Sequence, residues 1–156
     1  TVARMVDMGV EPFLLVSTLS VTVGQRLVRK LCDPKEQHTL SSAERTALAK
    51  QVDMEQVLTA LKEEKKVAKH ATWEDIQFYR PTPSTESEDG FKGRIGIHAI
   101  LPISSAIKEL IMRNGTADDI EAQARTEGML TMSEDGLYKA ALGITTVEEV
   151  LRVISE

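Results

Sequence analysis

Two stretches near the start decide the fold: Arg4–Leu14, with the sequence RMVDMGVEPFL, and Gln25–Cys32, with the sequence QRLVRKLC. In the first stretch, Gly9 follows a helical pattern and can take the positive φ that ends a helix. Pro12 opens a second helix, because a proline in the first turn lacks only an N–H that would be unpaired there. The alternating apolar residues from 19 to 31 predict a strand. The chain therefore begins as two helices and a strand.

The middle of the chain mixes helices with strands. Helical periodicity predicts helices at residues 41–49 and 54–66, and the second has an apolar face. Residues 73–79 suit a short strand. Proline, serine and acidic residues between 81 and 90 predict a solvated loop. An apolar strand follows at residues 91–103.

The last third of the chain predicts a helical module. Apolar residues from Ile103 to Ile111 recur on one helix face, and Asn114-Gly115 ends that helix. Three further helices have start signals, in which a threonine and the acidic residue three positions later would satisfy unpaired amides. These pairs are Thr116 with Asp119, Thr131 with Glu134, and Thr146 with Glu149.

Composition limits the classes of function. The chain has 156 residues, enough for one domain or two small ones, and a net charge of −5. A nucleic-acid-binding regulator would need a basic face, so we expect no nucleic-acid partner. The longest apolar runs are far too short for a membrane span. A single cysteine, Cys32, excludes an intrachain disulfide and favours a reducing, cytoplasmic setting.

Three further stretches share one family pattern with the opening: Gly90–Ile97 (GFKGRIGI), Glu127–Gly136 (EGMLTMSEDG) and Gly143–Val150 (GITTVEEV). Together the five stretches resemble the type II secretion and type IV pilus assembly ATPases. The resemblance covers the chain except roughly residues 34–89. No G-x-x-x-x-G-K-[S/T] motif occurs in the chain, so it resembles the C-terminal part of such an ATPase and not its phosphate-binding part.

The resemblance implies an α/β fold that is mainly α: the end of a RecA-like P-loop ATPase core with a small β-sheet, a helical insertion lobe and a helical C-terminal module. Residues 1–33 would end the core. Residues 34–89 would form the insertion lobe and an acidic loop in place of the zinc module of the family. Residues 90–103 would return as a core strand, and residues 104–156 would form the C-terminal module.

The resemblance also implies a function. The parent protein would be a homohexameric motor that uses ATP and Mg²⁺ to drive protein secretion or pilus extension. It would be cytoplasmic and associate with the inner membrane through a platform protein. The chain opens inside a motif, at Thr1-Val2-Ala3-Arg4, so we expect a fragment that is inactive alone and holds no catalytic residue. The alternative is a stand-alone docking module without ATPase activity.

Four arginines are candidates for a nucleotide site or a subunit interface: Arg4, Arg26, Arg29 and Arg94. In the resembling family, ATP lies near subunit boundaries. A guanidinium suits such a place, because its fork can bind two phosphate oxygens and it keeps its charge. The alternative is that these arginines form surface or strand-edge salt bridges. We expect Arg29→Ala to lower ATP turnover without affecting folding.

The segment Ala106–Arg113 resembles a part of pilus ATPases implicated in motor output. Its apolar residues would lie in the core. Lys108, Glu109 and Arg113 would face outward, where they could contact another subunit or the platform protein. The alternative is a solvated helix face, which is the commoner fate of such charges.

Cys32 marks a departure from the family. Many relatives have one C-x-x-C pair here and a second before the glycine-rich motif, which together would hold zinc. In this chain Lys35 replaces the second cysteine, and Pro83 and Glu86 stand where the other pair aligns. We therefore predict no zinc and no other metal site, and expect the apolar helix at 54–61 to stabilise the lobe instead.

Overall fold

A computed structural model describes residues 2–155. In these residues helices and strands mix, and helices predominate, which confirms the mixed α/β class. The elements in chain order are α1 (Val2–Asp7), α2 (Pro12–Thr18), β1 (Val21–Leu31), β2 (Lys35–His38), α3 (Ser42–Leu48), α4 (Met54–Glu63), β3 (Phe78–Pro81), β4 (Phe91–Pro102), α5 (Ser105–Met112), α6 (Ala117–Thr126), α7 (Met132–Ala141) and α8 (Val147–Ser155).

The chain divides into two compact units. The first comprises the described residues up to Gly24 together with Ala99–Met129. In it, α5 packs against α2 and α6. Aliphatic side chains at helical spacing form its core, which explains why these helices are amphipathic. The buried members are Val2, Leu15, Ile103, Ile107, Ile111, Ile120 and Ala124.

The second unit comprises Gln25–His98 and the described residues from Leu130 onward. Its main core lies between α4, β3 and α7. Val57 and Leu61 of α4 are completely buried there, as expected for the helix that stabilises this segment. Leu137 and Ala140 of α7 pack into the same cluster. The segment predicted as an insertion lobe therefore shares its core with a C-terminal helix.

Two small sheets complete the fold. β2 and β3 pair antiparallel, with Lys35 opposite Pro81 and His38 opposite Phe78. β1 and β4 pair with each other and form a two-stranded sheet, which we call the ribbon. In the second unit, Val28 and Ile97 on the ribbon pack against Val153 of α8. The ribbon is thereby anchored to the last helix.

Two predicted elements of the middle segment need correction, and one strand was missed. The strand expected at 73–79 is β3, which begins only at Phe78, because residues before it turn and Asp75 accepts a bond from the Thr72 amide. β2 was not predicted. The helix expected to reach residue 66 ends at Glu63, and Lys65 takes a positive φ of 56° that no helix continues.

The predicted helix starts are confirmed for α6 and α7 but only in part for α8. Thr116 with Asp119 and Thr131 with Glu134 form reciprocal capping boxes. At α8, Thr146 accepts a hydrogen bond from the Glu149 amide. The Glu149 carboxylate does not complete the predicted box, because it accepts bonds from arginines instead.

Helices α7 and α8 approach each other closely at one point. Gly136 lies inside α7, and a Cβ atom there would come within 2.4 Å of Cγ1 of Val150. No real Cβ tolerates that distance, so the contact between these helices depends on the absence of a side chain.

Candidate functional site

Glu149 of the second unit is a buried carboxylate with several hydrogen-bond donors. Its side chain is only 1% exposed. One carboxylate oxygen, Oε1, accepts from the backbone N–H of Arg29 at 3.1 Å and from Nη2 of Arg152 at 2.7 Å. The other, Oε2, accepts from Nη2 of Arg29 at 2.9 Å. The hydrogen bonds from Arg152 and Arg29 outweigh burial and lower the pKa of Glu149 to about 2.

Arg29 is held on several sides. Besides Glu149, it donates from Nη1 to Oδ2 of Asp89 at 3.1 Å. Its guanidinium carbon lies 4.2 Å from the centre of the Phe91 ring, a cation–π contact. The hydrogen bond with Glu149 raises the pKa of Arg29 above its usual value. The Arg29 side chain is nevertheless 43% exposed, so its outer side is accessible to solvent.

The loop before α8 fixes the backbone around Arg29. The Thr145 hydroxyl donates to the Arg29 carbonyl at 2.8 Å, and the Leu31 amide donates to the Ile144 carbonyl at 2.9 Å. Thr145 is fully buried. Backbone and side chain of Arg29 are therefore both positioned by residues 144–152.

The other three candidate arginines are exposed. Arg26 donates from Nη1 to the Val153 carbonyl of α8. Arg94 lies on β4, and Arg4 lies on α1 in the first unit. The structure brings Arg26 and Arg29 into contact with α8, and their role toward a nucleotide or a second subunit stays a prediction.

Two of the three α5 charges lie at the outer side of the helix, as the sequence predicts. Glu109 and Arg113 are exposed and lie 3.5 Å apart, and Lys108 is half-buried. Ile107 and Ile111 on the other side are buried in the core of the first unit. A partner contact by these charges is not tested by the geometry of a single chain and stays a prediction.

Comparison with known proteins identifies the family of this chain. The family model described as "Type II/IV secretion system protein" matches residues 1–152. The chain belongs to this family. It is 37% identical over 155 residues to the type II secretion system protein E of Xanthomonas campestris pv. campestris, which covers 99% of this chain and 24% of that protein. The resemblance found in the sequence is thus confirmed.

Two further relatives are named for type II secretion and for type IV pilus assembly. The type II secretion system ATPase E of Vibrio cholerae is 34% identical over 156 residues, or 99% of this chain and 27% of that protein. The type IV pilus assembly ATPase PilB of Pseudomonas aeruginosa is 32% identical over 157 residues, or 100% of this chain and 25% of that protein. The chain spans about a quarter of the length of each of these three curated relatives.

The partners of Arg29 were not predicted from the sequence of this family member. Glu149 was interpreted as a capping residue, and Asp89 and Arg152 were not singled out. One signal was present: Glu149 shares a helix face with Val153, four residues later, and Val153 is buried. An acidic residue on a buried helix face needs a cationic partner. The sequence does not show which cation supplies it.

Residues 2–155 of this secretion-family chain contain no cluster of side chains that could bind a metal ion. No three His, Cys, Asp or Glu side chains there lie close enough to hold a metal ion. Cys32 is a half-buried free thiol. None of the helices in the same range is both long enough and apolar enough to cross a membrane.

Proposed function

We propose that this chain is the C-terminal part of a motor ATPase for type II secretion or type IV pilus extension. The observation that carries the proposal is the family match over nearly the whole chain, with relatives named as secretion and pilus assembly ATPases. The parent protein would work as a homohexamer in the cytoplasm and pull on an inner-membrane platform protein. ATP hydrolysis with Mg²⁺ would supply the energy.

This chain would contribute arginines to that reaction. Arg29 is the best-placed candidate. Its Nη2 is bound by the buried Glu149 carboxylate, while its Nη1 pairs with the exposed Asp89. A phosphate oxygen could replace the Asp89 carboxylate, since both are anions that accept from a guanidinium. Arg4, Arg26 and Arg94 are exposed and could complete the site from this subunit or its neighbour.

Other parts of the ATP site would lie outside these residues. The chain has no G-x-x-x-x-G-K-[S/T] loop, and residues 2–155 bring no three acidic or histidine side chains together for Mg²⁺. Lys108, Glu109 and Arg113 would transmit movement to the platform protein. Glu109 and Arg113 are exposed and Lys108 is half-buried, on a helix whose other side is fixed in a core.

The first test compares ATP turnover by this chain with turnover by a longer protein that includes a P-loop. We expect no hydrolysis by the 156-residue chain and Mg²⁺-dependent hydrolysis by the longer protein. A longer protein with an intact P-loop that binds its platform but hydrolyses no ATP would contradict the motor and support a docking module.

The second test removes the anion that competes for Arg29. Asp89→Asn keeps the Oδ1 acceptor for Ser87 and Phe91 but removes the charge opposite Nη1. We expect a lower KM for ATP in the longer protein. Glu86→Gln is the matched control, because Glu86 forms an exposed pair with Lys92 instead. An unchanged KM for Asp89→Asn would remove Arg29 from the nucleotide site.

Arg29 itself is a poor choice for this test. The expectation that Arg29→Ala leaves folding unchanged does not fit the geometry, because Arg29 is a partner of the buried Glu149 carboxylate. Loss of turnover in that variant would mix a catalytic effect with a loss of stability.

A further inference from the structure

An ion pair on α7 binds the backbone of β4. Oδ2 of Asp135 accepts from the His98 amide at 2.7 Å, and Nζ of Lys139 donates to the Gly96 carbonyl at 2.7 Å. The two side chains also pair with each other at 2.5 Å and are largely buried. One acceptor and one donor, one helical turn apart, thus bind two alternate residues of a strand.

These backbone groups lie on the outer edge of the ribbon. Residues two apart in a strand direct their amides and carbonyls to the same edge. The neighbour of β4 in its sheet is β1, and the His98 amide is bonded to α7. Asp135 and Lys139 therefore occupy the positions in which an added strand would present a carbonyl and an amide.

The edge of β1 is covered in a related way. Glu149 accepts from the Arg29 amide, and Thr145 donates to the Arg29 carbonyl. An acceptor and a donor again replace the backbone of a neighbouring strand. Side chains from α7 and α8 or the loop between them thus cover both edges of the ribbon at these positions.

We propose that Asp135 and Lys139 form an edge cap, which keeps a second copy of this chain from pairing with β4. Open strand edges pair readily with other chains, and β4 carries Ile95, Ile97 and Ile100, whose branched side chains favour strands. A second copy offers the same strand and the same register. This role is independent of ATP hydrolysis.

A charge-neutral double variant tests the cap. The first variant, Asp135→Ala with Lys139→Met, removes both contacts to the β4 backbone. The second variant is the control: Glu109→Ala with Arg113→Met removes an i, i+4 pair that lies on the surface. We expect the His98 amide of the first variant to exchange hydrogen at least about tenfold faster. Its mass by light scattering should exceed that of the unsubstituted chain and rise with concentration. The second variant should show neither change.

Adding His98→Pro to the Asp135→Ala, Lys139→Met variant tests whether the β4 edge is the surface through which the chains associate. Proline has no amide to donate to an added strand, so the extra mass should disappear. Association that persists would run through another surface and overturn the proposal. A folded double variant with the mass of the unsubstituted chain would overturn it too.

The unsubstituted chain gives a test that does not depend on the folding of any variant. Strand alternation places the Ile100 amide on the same edge, two residues beyond the cap. We expect the His98 amide to exchange at least about tenfold more slowly than the Ile100 amide. Equal rates would mean that the ion pair does not close the edge.

Discussion

Helices α5 and α8 each carry a glutamate paired with an arginine about one turn later, but the two pairs lie in opposite surroundings. Glu109 and Arg113 on α5 are 69% and 77% exposed and lie 3.5 Å apart. Glu149 on α8 is almost fully buried, lies 2.7 Å from Arg152, and also binds the backbone and side chain of Arg29.

The difference shows that spacing alone does not set the value of an ion pair. Water screens the α5 pair, and holding two long side chains together costs entropy, so little stability remains. The α8 carboxylate has lost its water, and each remaining hydrogen bond compensates for that loss. We therefore expect α8 to respond strongly to substitution and α5 weakly, which leaves the α5 charges free for a partner.

The largest effect is expected for Glu149→Ala. Removing this carboxylate leaves the Arg29 amide without its acceptor and two guanidinium groups without their buried partner. We expect a loss of about 3 kcal/mol in the free energy of unfolding. Urea unfolding followed by circular dichroism measures it, with Glu109→Ala as the matched control. Equal losses of unfolding free energy in both variants would show that burial does not distinguish the α8 pair from the α5 pair.

The pH dependence of stability sharpens the comparison. Bonds from Arg152 and Arg29 lower the pKa of Glu149 in the folded chain to about 2, below its ordinary value of 4.5. The stability that this carboxylate contributes is complete above pH 4.5 and is lost as the pH falls toward 2. As the pH falls through this window, the free energy of unfolding should therefore decrease more steeply for the unsubstituted chain than for Glu149→Gln. Parallel curves would contradict the lowered pKa.

A smaller effect is expected for Thr145→Val, which keeps the shape of the side chain but leaves the Arg29 carbonyl without its donor. We expect a loss of about 1–2 kcal/mol. Thr59→Val is the control, because the Thr59 hydroxyl donates to the Glu55 carbonyl on the exposed face of α4. Trp73, the single tryptophan, reports unfolding of the second unit by fluorescence in both variants.

The smallest effect on stability is expected for Arg113→Ala, below about 0.5 kcal/mol. The same substitution should reduce binding of the longer protein to its platform protein, measured by co-purification at low salt. Unchanged binding would return this helix face to an ordinary solvated surface. A large loss of stability would instead show that the exposed pair is structural.

Local signals in the sequence predicted the helices well. The capping boxes of α6 and α7 were correct, because a cap depends on residues three positions apart. β2 was missed for the opposite reason. Its residues, Lys35–His38, are polar, and the strand exists because β3 pairs with it from 40 to 46 positions away.

The candidate site was predicted only in part. Arg29 was identified, but Glu149 binds it from 120 positions away and was assigned to its own helix start. A capping pattern describes where an amide finds a partner. It does not determine where a carboxylate points when an arginine from another part of the chain competes for it.

Gly136 links the two helices to the ribbon they hold. It touches Val150 and directly follows Asp135, which binds β4, and Val150 directly follows Glu149, which binds β1. The contact between Gly136 and Val150 therefore lies beside the two residues that bind the outer edges of the ribbon. Alanine ordinarily strengthens a helix over glycine by about 1 kcal/mol. Here its methyl group would push the helices apart. The two strands of the ribbon lie about 4.8 Å apart, so Asp135 and Glu149 could then no longer both bind their strands.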